Sequence, residues 1–281
     1  MSIPVHDALL QVFDVEHGGC SLLTYANSNG GYQRLMIDCG KNSTTGFTPG
    51  GHLADLRLNY LECLAITNYD EDHADGFPSF GEHGITIGRI LHSRGVEPSQ
   101  VRSLKSDTGM GDGIDALVRS LEARLVSPIP PEVFPDVRIQ TFCNTFPQFE
   151  DENNLSLVVH LSVLGFNFLY PGDMECAGFE SLLAKSPEFR ALMPGIHVLM
   201  ASHHGRENGI CPAMFDGWGC NPVLIVISDS EKVHGTQETT NYYGMKAKGY
   251  AGFRGQPRKV LSTRKDKEIR FSFRMGNCFP E

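Results

Sequence analysis

The chain has 281 residues, 41% apolar and 20% charged, with a net charge of −9; this allows a sizeable buried core and excludes a disordered or fibrous chain. Eight cysteines with no CxxC pair are too few for a disulfide-built scaffold. The start, Met1 to Val15, carries no basic segment ahead of its apolar residues, and no run reaches bilayer-spanning length, so the expectation is a soluble protein with free thiols in a reducing cytoplasm and no membrane contact.

In chain order, Leu9 to Val15, Cys20 to Tyr25 and Leu35 to Ile37 are apolar bursts separated by turn signals such as Asn27-Ser28-Asn29-Gly30-Gly31, which predicts a strand meander. A helix is expected around His52 to Leu61. The buried strand Cys63 to Thr67 then runs into Asn68-Tyr69-Asp70-Glu71-Asp72-His73-Ala74-Asp75, four acids and an imidazole that no core would accommodate. Ile85 to Leu91 reads as a strand. From Gly95 to Phe149 the pattern weakens, apart from helical spacing over Ile114 to Leu125, which the prolines between Pro128 and Pro135 stop. The region around 95–150 is therefore expected to be an insertion over the active site, within one domain spanning 1–281.

Leu155 to Leu164 and Phe166 to Tyr170 form a hairpin turned at Gly165 and closed by Pro171-Gly172-Asp173. Ser181 to Leu192 is a predicted helix, His197 to Ala201 a strand ending in His203-His204-Gly205, and Pro222 to Ser228 a buried strand. Two last strands, Lys259 to Thr263 and Ile269 to Arg274, flank the turn Arg264 to Lys267. Between Met245 and Arg274 stand ten basic residues against two acids, a net +8 that leaves −17 for the rest of the chain. That tail is either a solvated strand face or a flank turned towards phosphate.

Three strands thus end in polar residues: at Asp70 to His73, at Asp173 and at His203-His204. Rigid strand ends can hold ligands from distant parts of a chain, and carboxylates with imidazoles are the set that a divalent cation needs to activate water. Metal-dependent hydrolysis is the leading reading of these residues.

The motif order resembles the metallo-β-lactamase superfamily: Ile37-Asp38-Cys39-Gly40, then Thr67 to His73, then Gly172-Asp173, then Ser202-His203-His204-Gly205. Phe13-Asp14-Val15-Glu16-His17-Gly18-Gly19-Cys20, Asn153-Asn154-Leu155-Ser156-Leu157-Val158, His234-Gly235 and Leu261-Ser262-Thr263 extend the match to the hydrolase domain of ComEC-type competence proteins. The resemblance covers nearly the whole chain. It implies an α/β fold, a four-layer αβ/βα sandwich, with one or two divalent ions (Zn and/or Mn) at one edge. It also implies hydrolysis by metal-activated water, with DNA phosphodiester as the substrate expected in the competence branch.

The pattern is not complete. Asn68 and Asp70 stand where the superfamily has its first two ligand histidines, so one site would rest on Asp70, bridging Asp173 and the Asn68 amide, an oxygen set that favours Mn²⁺ or Mg²⁺. The other keeps Asp72, His73, Asp173 and one of His203 and His204. Analogy favours His203 as ligand and leaves His204 to substrate, with the reverse order open. Asp72 is also expected to orient the attacking hydroxide, Asp38 to support the ligands, and His234 either to meet substrate or to bond within its loop. Asp14 and His17 sit at a turn where hydrogen bonding to amides is the ordinary role. Phosphodiester or nucleic-acid hydrolysis leads; the alternatives are hydrolysis of an amide, thioester or lactone, and a metal-poor interaction protein on the same fold.

Overall fold

The computed structural model describes residues 7–27, 30–106, 109–126, 134, 137–230, 236 and 238–281. Its strands are β1 (Ala8–Val12), β2 (Cys20–Ala26), β3 (Tyr32–Cys39), β4 (Tyr60–Ala65), β5 (Thr86–Leu91), β6 (Val137–Phe142), β7 (Val158–Val163), β8 (Phe166–Tyr170), β9 (Val198–Met200), β10 (Leu224–Ile227), β11 (Tyr250–Phe253), β12 (Gln256–Arg258), β13 (Val260–Ser262), β14 (Ile269–Arg274) and β15 (Asn277–Pro280). The helices are α1 (Pro49–Asp55), α2 (Pro78–Glu82), α3 (Pro98–Leu104), α4 (Asp112–Val126), α5 (Cys176–Lys185), α6 (Pro187–Leu192), α7 (Thr240–Lys246) and α8 (Thr263–Asp266).

Two sheets carry the fold, in the orders β15-β14-β1-β2-β3-β4-β5 and β13-β10-β9-β8-β7-β6, beside the small pair β11-β12. Side-chain alternation sets the layers. Val159, Leu161, Phe168, Val198, Met200 and Val226 on one face of the second sheet share a core with Leu10, Leu23, Leu35 and Ile37 of the first. Their neighbours Val158, Leu169, Leu199 and Ile225 point the other way, onto Phe179, Phe189 and Tyr243 of α5, α6 and α7. The opposite face of the first sheet, Leu22, Met36 and Leu64, packs on Leu53, Phe80, Val101 and Leu117 of α1 to α4. The result is the four-layer αβ/βα sandwich. Strands covered on both faces read as unbroken apolar runs, as Leu224–Ile227 does.

Within each sheet lies a parallel block, β3-β4-β5 and β8-β9-β10-β13. Segments leaving the carboxyl ends of these strands form the crevice where open α/β sheets hold ligands. Asp38, the Thr67–His73 loop, Asp173, His203-His204 and Thr263 all sit at such ends.

Several elements differ from the sequence expectation. The helix placed around His52 to Leu61 is α1, capped by Thr48 Oγ1 accepting from Gly51 N at 3.2 Å; Arg57 turns left-handed (φ 59) and ends it, and Tyr60 already belongs to β4. The single helix Ser181 to Leu192 is two. Ser186 stands extended before Pro187, as a residue preceding proline prefers, and its Oγ caps α6 by accepting from Phe189 N at 3.0 Å. The stretch 95–150 is woven into the sandwich: α3 and α4 pack on the first sheet, and β6 is the edge strand of the second. Most of Pro128 to Pro135 lies outside the described residues. The pair β11-β12, β15 and α7 have too little apolar periodicity to be read from sequence. No helix among the described residues is long and apolar enough to cross a membrane.

Phe168 is fully buried between the sheets and meets Phe271 edge-on at 5.2 Å between ring centroids. Phe168→Ala is expected to lower unfolding free energy by about 3–5 kcal/mol, against under about 0.5 kcal/mol for an exposed site such as Phe279→Ala. Urea denaturation followed by circular dichroism measures both; equal midpoints for the two variants would contradict the assignment of the inter-sheet core.

Candidate functional site

Glycines fix the backbone of the ligand loop. A Cβ on Gly18, whose φ is +120, would lie 2.1 Å from the Asp72 carbonyl oxygen, and one on Gly40 would lie 2.7 Å from it. Gly19 N donates to that same carbonyl at 3.3 Å. The loop therefore seats against the β1–β2 turn and the end of β3 at a distance only glycine permits.

His73 is buried between two carboxylates, with Nδ1 3.0 Å from Asp38 Oδ2 and Nε2 3.0 Å from Asp173 Oδ1. Asp38 is itself held by Thr67, whose N donates at 2.7 Å and Oγ1 at 2.6 Å. Burial disfavours the His73 imidazolium, but Asp173 and Asp38 outweigh it and raise the pKa well above the ordinary value. Asp173 is held well below the carboxylate range: burial works against ionisation, and the charges of His204 and His73 overcome it.

His204 completes the group. Its Nδ1 lies 3.0 Å from the Ser228 carbonyl, which can only accept, so Nδ1 carries the proton and Nε2 bears the lone pair of the neutral ring. Nε2 faces Asp72 Oδ2 at 3.2 Å and Asp173 Oδ1 at 3.3 Å, so a proton on Nε2 is held by the carboxylates, and only in the neutral ring is this buried nitrogen left without a hydrogen bond. Burial pulls this imidazole down and the two carboxylates push it up to about 10. Asp72 stays ionised at neutral pH because His204 and His73 offset its desolvation.

Ligand atoms of Asp72, His73, Asp173 and His204 all lie within 4.8 Å of one another. Bonds of about 2.0–2.2 Å to a common ion need ligand separations of roughly 3–4 Å, so a small contraction would close this set on a divalent cation. The orphaned His204 Nε2 is the observation that fits the site to a metal. Asp38 on His73 Nδ1 and Ser228 on His204 Nδ1 are the outer hydrogen bonds that orient imidazole ligands.

The other expected residues are distributed differently. His203 Nε2 is 3.9 Å from Asp173 Oδ2 and 3.3 Å from Arg206 Nη1, outside the group of four. The imidazole that lies within the group is His204, where analogy favoured His203. Both residues are left-handed, with φ of 50 and 52, a chain reversal that no sequence periodicity announces. The Asp70 carboxylate pairs with Lys105, which also lies 3.0 Å from Glu152 Oε1. The Asn68 amide donates to Asn153 Oδ1 at 3.1 Å, and its oxygen accepts from Tyr69 N. The oxygen site expected from Asn68, Asp70 and Asp173 is accordingly not assembled. His234 lies outside the described residues.

Sequence reasoning missed Asp229. It follows β10 as a further strand-end acid, and its Oδ1 lies 2.9 Å from His17 Nδ1, leaving His17 Nε2 3.6 Å from Asp72 Oδ2. The strand-end rule applied to Ser228-Asp229 would have found it; Arg206 and Lys105 carry no such signal. Beside Asp72 and His17 opens a groove of about 830 Å³ whose lining includes Lys41, Arg264 and Lys267. Other basic residues of the tail are internal struts: Arg258 pairs with Asp266 at 2.7 Å, and Arg254 donates to the Asp266 and Glu268 carbonyls.

No family model matches the chain. Over 207 residues, 73% of this chain, it is 25% identical to competence protein ComA of Neisseria gonorrhoeae, and it spans about a quarter of that relative's length. Among solved structures it superposes on the CmlA beta-hydroxylase E377D mutant with a TM-score of 0.52 and 9% identity, over 96% of this chain and 55% of the other. A diphosphatase of the PhnP family aligns over 93% of this chain and 96% of the other with 8% identity and a TM-score of 0.38. The fold is the metallo-β-lactamase sandwich, and the ComA likeness falls on the ComEC-type branch that the motifs resemble.

An ion entering this group must displace the protons of His73 and His204. Calorimetry with Mn²⁺ or Zn²⁺ in buffers of differing ionisation enthalpy is expected to report release of about two protons per ion near neutral pH; no release would mean that the imidazoles are not ligands. Without metal the sign is that of raised histidines. Their contribution to stability is full below the ordinary value of 6.5 and is lost as pH rises through about 10 for His204. The urea midpoint of chelator-treated protein should therefore fall across that window.

Proposed function

We propose that the protein is a metal-dependent hydrolase acting on phosphoesters, with nucleic acid as the first substrate class to test. One observation carries the reading: Asp72, His73, Asp173 and the otherwise unbonded His204 Nε2 converge at one point, beside a groove that presents Lys41, Arg264 and Lys267. A divalent ion held by those four residues would supply a Lewis acid for a phosphoryl oxygen and a water of lowered pKa.

The chain's own groups supply the rest. Asp72 is ionised and partly open to the groove, 26% exposed at its side chain, so it can accept a hydrogen bond from a water and orient it. His17, braced through Nδ1 by Asp229, turns Nε2 to the same side, where it accepts from Arg206 Nη2 at 3.3 Å; exchange of that contact for a leaving oxygen would let it pass a proton. Arg264, paired with Asp229 at 3.3 Å, and Lys267, paired with Asp14 at 3.2 Å, offset part of the acidic charge of Asp14, Glu16 and Asp75 in the same groove and so ease the approach of a phosphate. The likeness to a competence protein supports nucleic acid as the polyanion.

Mn²⁺- and Zn²⁺-supplemented protein should cleave single-stranded or duplex oligonucleotides, or bis-p-nitrophenyl phosphate, with Asp173→Ala and His204→Ala each lowering kcat/KM at least about 10²-fold. Activity that survives both substitutions refutes the assignment. A panel of lactones, thioesters and peptide amides run alongside separates phosphoester from acyl chemistry.

A further inference from the structure

We infer that the Lys105 ammonium takes the place of a second divalent ion, so that the centre is built for one exchangeable cation and one tethered cation. The inference rests on the metal reading above and concerns the half of the centre that sequence assigned to Asp70.

Lys105 directly follows α3, and its side chain is 10% exposed. Its Nζ meets the Asp70 carboxylate and lies 3.0 Å from Glu152 Oε1. Carboxylates from two distant segments converging on one point are what a cation requires, and the ammonium satisfies both. Asp70 stands two residues ahead of Asp72 in the same loop, at the position that the sequence assigned to the second ion. The nearby amide oxygens are turned to protein donors: Asn68 Oδ1 accepts from Tyr69 N, and Asn153 Oδ1 accepts from Asn68 Nδ2 at 3.1 Å. Asn153 Nδ2 donates onward to Glu175 Oε1 at 3.2 Å. Among the described residues only one group of three or more ligand-type side chains converges, and Asp70 is not in it. Burial alone would lower the Lys105 pKa, but Asp70 and Glu152 raise it, so the ammonium is charged at any working pH.

Elemental analysis and calorimetric titration with Mn²⁺ and Zn²⁺ decide the point on the full chain. The wild type should saturate at about one ion, Lys105→Ala at about two, and the double variant Lys105→Ala/Asp70→Asn at about one again. Two ions in the wild type, or one in a folded Lys105→Ala protein, overturns the inference. Asp70→Asn alone supplies a test that does not depend on how Lys105→Ala folds: its ion count should match the wild type, and a lost ion would make Asp70 a ligand and Lys105 no substitute. A wild type that binds no ion refutes the metal reading along with this one.

Discussion

The buried sequence of charges Asp38, His73, Asp173 is the constraint on which the rest of the site depends. Asp38 belongs to β3 of one sheet and Asp173 follows β8 of the other, so the imidazole between them, 3.0 Å from each, links the two sheets where their parallel blocks end. Ionised groups removed from water cost several kcal/mol each unless they are paired. Alternation of sign satisfies that requirement here, and Asp72 with His204 continues it. Three carboxylates facing two imidazoles leave one negative charge when both imidazoles are protonated, and the same single charge when both are neutral and a dication is present. Protons and a dication would thus be interchangeable ways of stabilising one arrangement, and the protonated set keeps this geometry without an ion.

Backbone strain is present at the same edge. His203 and His204 are consecutive non-glycine residues in the left-handed region, and Asp38 is a third, with φ 57. Such conformations cost of order 1 kcal/mol or more each and persist where the surroundings over-determine them. Here the surroundings are the Ser228 carbonyl on His204, the Thr67 bonds on Asp38, and His203 N donating to the Gly172 carbonyl at 3.1 Å. The sheets supply the rigidity and the turns after them carry the strain, a division that fits a preorganised ligand set.

Much of this was legible in the sequence, and for identifiable reasons. β2, β5, β7, β8 and β10 are apolar runs bounded by turn residues, and acids or histidines immediately after such runs stand out because burial punishes them. That logic singled out Asp72, His73 and Asp173. It could not choose between His203 and His204, since the choice depends on two backbone dihedrals and a carbonyl 24 residues away. Nor could it foresee Lys105, whose partners Asp70 and Glu152 lie 35 and 47 residues from it in opposite directions. Short, half-exposed elements such as β11, β12 and β15 bury too few side chains to leave a pattern.

The Lys105 contact with Asp70 and Glu152 has a bearing on how the centre responds to its surroundings. A cation carried on a side chain has a local concentration set by the fold, independent of what the medium contains. Chelators, competing metals and dilution act only on the charge that can leave. Neutralisation of Asp70 and Glu152 is therefore a fixed property of the polypeptide, inherited with its sequence, whereas the charge state of Asp72, His73, Asp173 and His204 follows the supply of protons and ions from outside.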